Sequence, residues 1–166
     1  RDRLRSRGLG DVYKRQLQAS MPGVPCIYYG DEAGVTGMAD PFNRTTFPWG
    51  DEDKELFSTL RDIMRLRARS AALKRGWYAI APLCADAFAI IRSHGKDCVI
   101  AAVNRAGHEI KAAVSAGAFA QGPHPGIAPP DGLYADALSG NHFSCREGRI
   151  ELALPPYSAV LLKQER

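Results

Sequence analysis

The chain has 166 residues, 45% of them hydrophobic and 24% charged, which suits one globular domain or a small domain with a piece of another. Its apolar stretches are broken every few residues by Gly, Pro or charge, so no membrane-spanning helix fits. The formal charge of +4 invites a nucleic-acid reading, but residues 1–16 hold six basic and two acidic residues, which leaves 17–166 with no net charge. A nucleic-acid partner needs a basic patch interleaved with aromatics, and none is expected here.

The first sixteen residues, RDRLRSRGLGDVYKRQ, show no helical or strand periodicity, and the composition shifts at Leu17. Ser6 to Gln16, SRGLGDVYKRQ, resembles the translation of a common transposase sequencing adapter, its end corresponding to GAT GTG TAT AAG AGA CAG. Residues 1–16 are therefore expected to be a non-native tail that makes almost no buried contacts. The alternative is a genuine basic tail for an anionic surface. On the adapter reading, Leu17 lies inside a longer protein and the compartment is not legible. Cys26, Cys84, Cys98 and Cys145 form no CxxC pair and have no His at metal-ligand spacing, so free thiols are expected and no metal.

Val24-Pro25-Cys26-Ile27-Tyr28-Tyr29 is short, apolar and closed by Gly30, and reads as a buried strand of a parallel sheet. Asp31 and Glu32 follow at its C-terminal end, where α/β barrels place functional residues. The loop 33–50 is long for a compact domain, and loops of that length are usually functional or disordered. A helix is predicted over 53–75, capped by Asp51 or Asp53, with Leu56, Phe57, Leu60, Ile63 and Met64 as its apolar stripe. Arg61, Arg65, Arg67 and Arg69 read as its solvated face, and Gly76 as its stop.

From Trp77 the texture changes to short β-type runs, predicted near 77–82, 87–93, 97–104, 109–115, 133–138, 149–154 and 157–163. Turn signals separate them at Ala85-Asp86, His94-Gly95, Ala106-Gly107 and Glu147-Gly148. The segment GPHPGIAPPDG (122–132) is a loop. Strands at this spacing predict an antiparallel β-sandwich over 77–166, so the chain is mainly β.

The string MPGVPCIYYGDEAGVTGMADPFNRTTFPWG (21–50) resembles the eighth barrel strand and following loop of the α-amylase superfamily, glycoside hydrolase family thirteen. Its core matches at Gly23, Pro25, Ile27, Tyr28, Tyr29, Gly30, Asp31 and Glu32. Asp40, Pro41, Asn43, Arg44, Pro48 and Trp49 are similar to the neopullulanase, cyclomaltodextrinase and α-glucosidase branches. Leu66, Arg67, Ala72, Leu73, Arg75 and Gly76 resemble the last barrel helix entering a C-terminal β domain. Beyond the adapter-derived tail at 1–16, the resemblance covers 17–166 and implies two parts: the last βα unit of a truncated TIM barrel at 17–76 and a complete β-sandwich at 77–166. It also implies that the strand 24–29 has lost both of its barrel neighbours.

Such enzymes act on α-glucosidic bonds with retention, using a carboxylate nucleophile and a carboxylic acid about 5–5.5 Å apart. The family carries these acids after earlier barrel strands, upstream of Leu17, so no catalytic residue is expected in this chain. Asp31 and Glu32 are adjacent, point to opposite sides of a strand end and cannot flank one bond.

Arg44 and Asp40 are the candidate substrate-binding residues. The resemblance implies that an arginine of this loop pairs with an acid at the sugar pocket, and a guanidinium can bind a carboxylate or vicinal hydroxyls in bidentate fashion. A solvated loop arginine and a turn-forming Asp before Pro41 are the plain alternatives. Trp49 is expected to anchor the loop to the helix. The implied partner is an α-glucan or maltooligosaccharide; no cofactor, nucleic acid or membrane partner is implied. A non-catalytic carbohydrate-binding or structural sandwich is the competing reading, although Trp77, Tyr78, Phe88, Phe119, Tyr134, Phe143 and Tyr157 are too dispersed in sequence to mark an aromatic face.

Overall fold

The computed structural model describes residues 12–37, 39–41, 44–119 and 123–165. Helix α1 runs through residues 12–20, followed by a 3-10 turn at Asp31–Ala33. Helices α2 (Lys54–Arg69) and α3 (Ala71–Arg75) come next. Eight strands complete the order: β1 Trp77–Cys84, β2 Ala87–His94, β3 Asp97–Asn104, β4 Ile110–Ser115, β5 Gly132–Asp136, β6 His142–Cys145, β7 Arg149–Leu154 and β8 Ser158–Gln164.

The strands form a six-stranded sheet in the order β1-β2-β3-β8-β5-β6 and a two-stranded sheet of β4 and β7, with every pairing antiparallel. Alternation decides which side chains meet. In β7, exposed and buried residues alternate strictly, so Ile150, Leu152 and Leu154 face inward. They join Ala79, Ala81, Ala89, Ile91, Ile100, Ala102, Val114 and Leu162 in one core between the two sheets. This is the predicted sandwich.

Strand β3 is buried on both faces, because Val99 and Ala101 turn away from that core and meet Ala72 and Leu73 of α3, with Leu161 beside them. The outer face of the large sheet is thus closed by the helices. Asp97 fixes this junction: its Oδ2 accepts from the Ser70 hydroxyl at 2.7 Å and from the Ala72 N–H at 2.9 Å. Burial pushes the Asp97 carboxyl up, but the Ala72 N–H, the Ser70 hydroxyl and Lys163 outweigh it and hold the carboxyl below its ordinary value.

Four expectations change. The helix 53–75 is two helices, because Ser70 adopts an extended backbone and caps both, accepting from the Leu73 N–H at 3.2 Å. A strand at 142–145 was not predicted; it is four residues long and pairs only with β5 at the sheet edge. Residues 24–29 are not a buried strand. They form no ladder, and Val24 is 95% exposed, because the described chain sets no strand against them: their contacts beyond the local turn run through side chains, with Gln18 at the Cys26 carbonyl and Thr45 and Phe47 at Tyr29. The expectation that residues 1–16 make almost no buried contacts fails at their C-terminal end. The helix α1 crosses that boundary, Gln16 is buried and donates to the Ala159 carbonyl at 3.1 Å, and Arg15 pairs with Asp31 at 2.7 Å.

Candidate functional site

The candidate loop is closed at its neck. The Asp53 N–H donates to the Ala33 carbonyl at 3.1 Å, and Asp53 then caps α2 by accepting from the Leu56 N–H at 2.9 Å. Gly34 allows the close approach: its φ is +72°, and a Cβ there would lie 3.1 Å from the Asp53 Cβ. The chain therefore leaves the body at Gly34 and re-enters it at Asp53, beside the point of exit.

Within it, Asp40 and Arg44 come together. Arg44 Nε donates to Asp40 Oδ1 at 2.9 Å and Nη2 donates to Oδ2 at 3.2 Å, a bidentate pair across a cis Asp40-Pro41 bond. A turn from Pro41 to Arg44, closed at 3.1 Å, sets the spacing. The two side chains are 74% and 61% exposed. Arg44 thus spends two of its five N–H donors on the carboxylate. Asn43 of the same motif lies outside the described residues.

Tyr29 buttresses the loop from its base. Its hydroxyl donates to the Thr45 carbonyl at 3.1 Å, and its ring meets Phe47 edge-on with centroids 6.2 Å apart. Phe47 in turn contacts Trp49 at 4.6 Å. Trp49 does not bury itself as an anchor for the helix: it is exposed, and Phe47 is its ring partner. Asp31 is occupied at the loop root, accepting from the Tyr28 N–H at 3.0 Å and pairing with Arg15. Glu52 accepts from the Gly50 N–H at 3.0 Å, which holds its carboxyl below the ordinary value.

The sequence reading missed the residues that hold the root of this region. Arg67 is buried, not part of a solvated face. Its guanidinium donates to the carbonyls of Ala19, Met21 and Gly23. Arg92, also buried, donates to Ser20 O at 2.9 Å and Gly76 O at 2.8 Å. The C-terminal carbonyls of α1, at the negative end of its dipole, thus stand where a carboxylate would pair with these cations. Burial lowers the pKa of both guanidiniums, and Arg67 lowers that of Arg92 further. A signal for Arg67 was available: it stands four residues after Ile63 and seven after Leu60, on the buried stripe. Arg92, inside an apolar strand, carries no comparable signal.

All four cysteines are free, with Cys98 and Cys145 buried. Among the described residues there is no cluster of three or more metal-ligating side chains, and no helix is long and apolar enough to cross a membrane.

The described chain is thus a β-sandwich fed by a helix pair, with a long loop, tied at its neck, that carries an exposed guanidinium–carboxylate pair. No family model matches the chain. Over 159 residues it is 34% identical to an amylopullulanase of Thermoanaerobacterium thermosulfurigenes, covering 88% of the chain and 8% of that protein. Over 166 residues it is 33% identical to a cyclomaltodextrinase of Geobacillus thermopakistaniensis (strain MAS1), covering 94% of the chain and 26% of that protein. A match of that extent cannot leave all of residues 1–16 outside it. In fold, the α-amylase of Geobacillus thermoleovorans, solved with acarbose, matches with a TM-score of 0.80 at 19% identity, over 96% of this chain and 34% of that one. The chain is homologous to a short portion of the α-amylase-family enzymes of glycoside hydrolase family thirteen, and spans a minor part of their length.

Proposed function

We propose that the chain is the C-terminal part of a retaining, neopullulanase-like glycoside hydrolase acting on maltooligosaccharides, cyclodextrins or pullulan-type glucans. Residues 17–76 are then the end of a (β/α)8 barrel and 77–166 its C-terminal sandwich. Residues 1–16 carry an adapter-derived tail whose last residues continue α1. Asp40 and Arg44 hold a glucan hydroxyl pair, Arg44 donating and Asp40 both orienting it and accepting. The chain contributes substrate binding and barrel support but not the nucleophile or acid, so alone it turns nothing over.

The observation that carries this reading is the bidentate Asp40–Arg44 pair, presented outward on a loop tied at Ala33 and Asp53. The apolar stretch at 24–29, exposed and without a ladder, supports it as well, since such a run is written for a sheet with neighbours on both sides. The test is to recover the genomic sequence upstream of the Leu17 codon. An open frame encoding carboxylates after earlier barrel strands, with other residues in place of SRGLGDVYKRQ, is expected. A start codon close to Leu17, or a frame without those acids, contradicts the proposal and favours a non-catalytic module.

A further inference from the structure

Trp77 opens the edge strand β1 on the same face as Ala79 and Ala81, but lies beyond the core they enter and stays 43% exposed. The fold brings His124 to it across forty-seven residues of sequence, with ring centroids 4.6 Å apart at an interplanar angle of 44°. His124 is exposed too, so this contact does not bury either ring.

The backbone that carries the imidazole is restricted on both sides, by Pro123 and Pro125. The same loop is pinned to the core where the Gly126 N–H donates to the carbonyl of buried Phe119 at 2.7 Å. Ser93, paired directly with Trp77 across the β1–β2 ladder, presents its side chain on the same face and is only partly buried. Among the described residues, the Trp77 indole N–H, the His124 imidazole and the Ser93 hydroxyl have no hydrogen-bond partner within the protein. An apolar aromatic surface is thus rimmed by unspent donors and acceptors. A pyranose matches that combination: its C–H face lies on an aromatic ring, and its hydroxyls reach the polar edge.

We propose that Trp77, His124 and Ser93 form a surface site on the sandwich that binds a pyranose ring of an α-glucan chain, in addition to the Asp40–Arg44 loop. The site follows from the geometry; the choice of α-glucan over other pyranose polymers rests on the function proposed above. A site of this kind holds a long substrate by a second contact, raising its effective concentration at the loop.

The chain's two tryptophans make the test direct, because their indole N–H resonances report separately in an amide correlation spectrum. Titration of the full chain with maltoheptaose is expected to move the Trp77 signal saturably. His124→Ala, which alters an exposed loop residue, is expected to weaken binding about tenfold with the backbone spectrum intact, the scale of one lost aromatic contact. Trp77→Ala, read at the backbone amides of Ser93 and His124, should abolish the saturable shift. A saturable Trp77 response to cellohexaose but not to maltoheptaose would overturn the site as an α-glucan site, whereas the function it rests on fails only if the upstream-extended protein leaves α-glucans intact. No response at Trp77 to either sugar, or a response to maltoheptaose confined to Trp49, would overturn the site while leaving the loop reading untouched.

Discussion

Arg67 shows what one buried cation can organise. Its three carbonyl partners come from the last turn of α1 and the chain just beyond it, so its removal leaves those acceptors without donors. Charge-assisted bonds of this kind contribute more than neutral ones, and Arg67→Ala should lower the local opening free energy of residues 17–23 by about 2–4 kcal/mol. Native-state amide exchange checks this: protection should fall in 17–23 and persist in β2 and β3. Asp97 supplies a pH signature. Its carboxyl is depressed below the ordinary 3.8, so its stabilisation is fully present above that value and is lost as pH falls through the folded-state pKa. Asp97→Asn should therefore be less stable than the parent chain at neutral pH in urea melts. The gap should narrow only below about pH 4, the unfolded carboxylate range.

At the scale of elements, the turn from α3 into β1 depends on Gly76. A Cβ there would lie 2.3 Å from the Ala72 carbonyl oxygen and 2.6 Å from that of Ser93, both backbone atoms that cannot swing away. Gly76→Ala should cost about 1–3 kcal/mol in a chemical melt, the range for forced overpacking. Much of this level was legible in sequence. Seven of the strands were marked by β-formers between turn signals, and Gly76 was read as the helix stop. The break at Ser70 was not, because its cause is Asp97, twenty-seven residues downstream. Strand β6 escaped because His142-Phe143-Ser144-Cys145 alternates over only four residues, too short a run to mark a strand, and exists by pairing with β5. The run at 24–29 had the opposite fault: its composition says strand, but a strand is a relation between segments, and its partner is not beside it. The candidate site was legible in identity, since Asp40 and Arg44 stand out as residues, but their mutual bidentate pairing needed the turn at Pro41.

Over the whole molecule, stability is divided. The sandwich buries its own inner faces, the helices cover its back, and seven of the large exposed hydrophobics (Met21, Val24, Ile27, Tyr28, Tyr29, Trp49 and Phe57) gather within residues 21–57. Amide protection should therefore rank highest within 77–163, intermediate in α2 and in the clamped turn at 17–23, and lowest through 24–50. Strong protection of Ile27 to Tyr29 in a verified monomer would mean that this stretch has found a partner within the chain. The proposed truncated barrel accounts for that gradient, since it leaves the 24–29 run without neighbouring strands. The most direct measurement is reducing-sugar release from maltoheptaose, a cyclodextrin and pullulan, comparing this chain with the reading frame extended upstream of Leu17. The account predicts turnover by the extended protein and none by the chain alone. Turnover by the chain, purified free of contaminating amylase, or an extended protein that folds and leaves all three glucans intact, would contradict it.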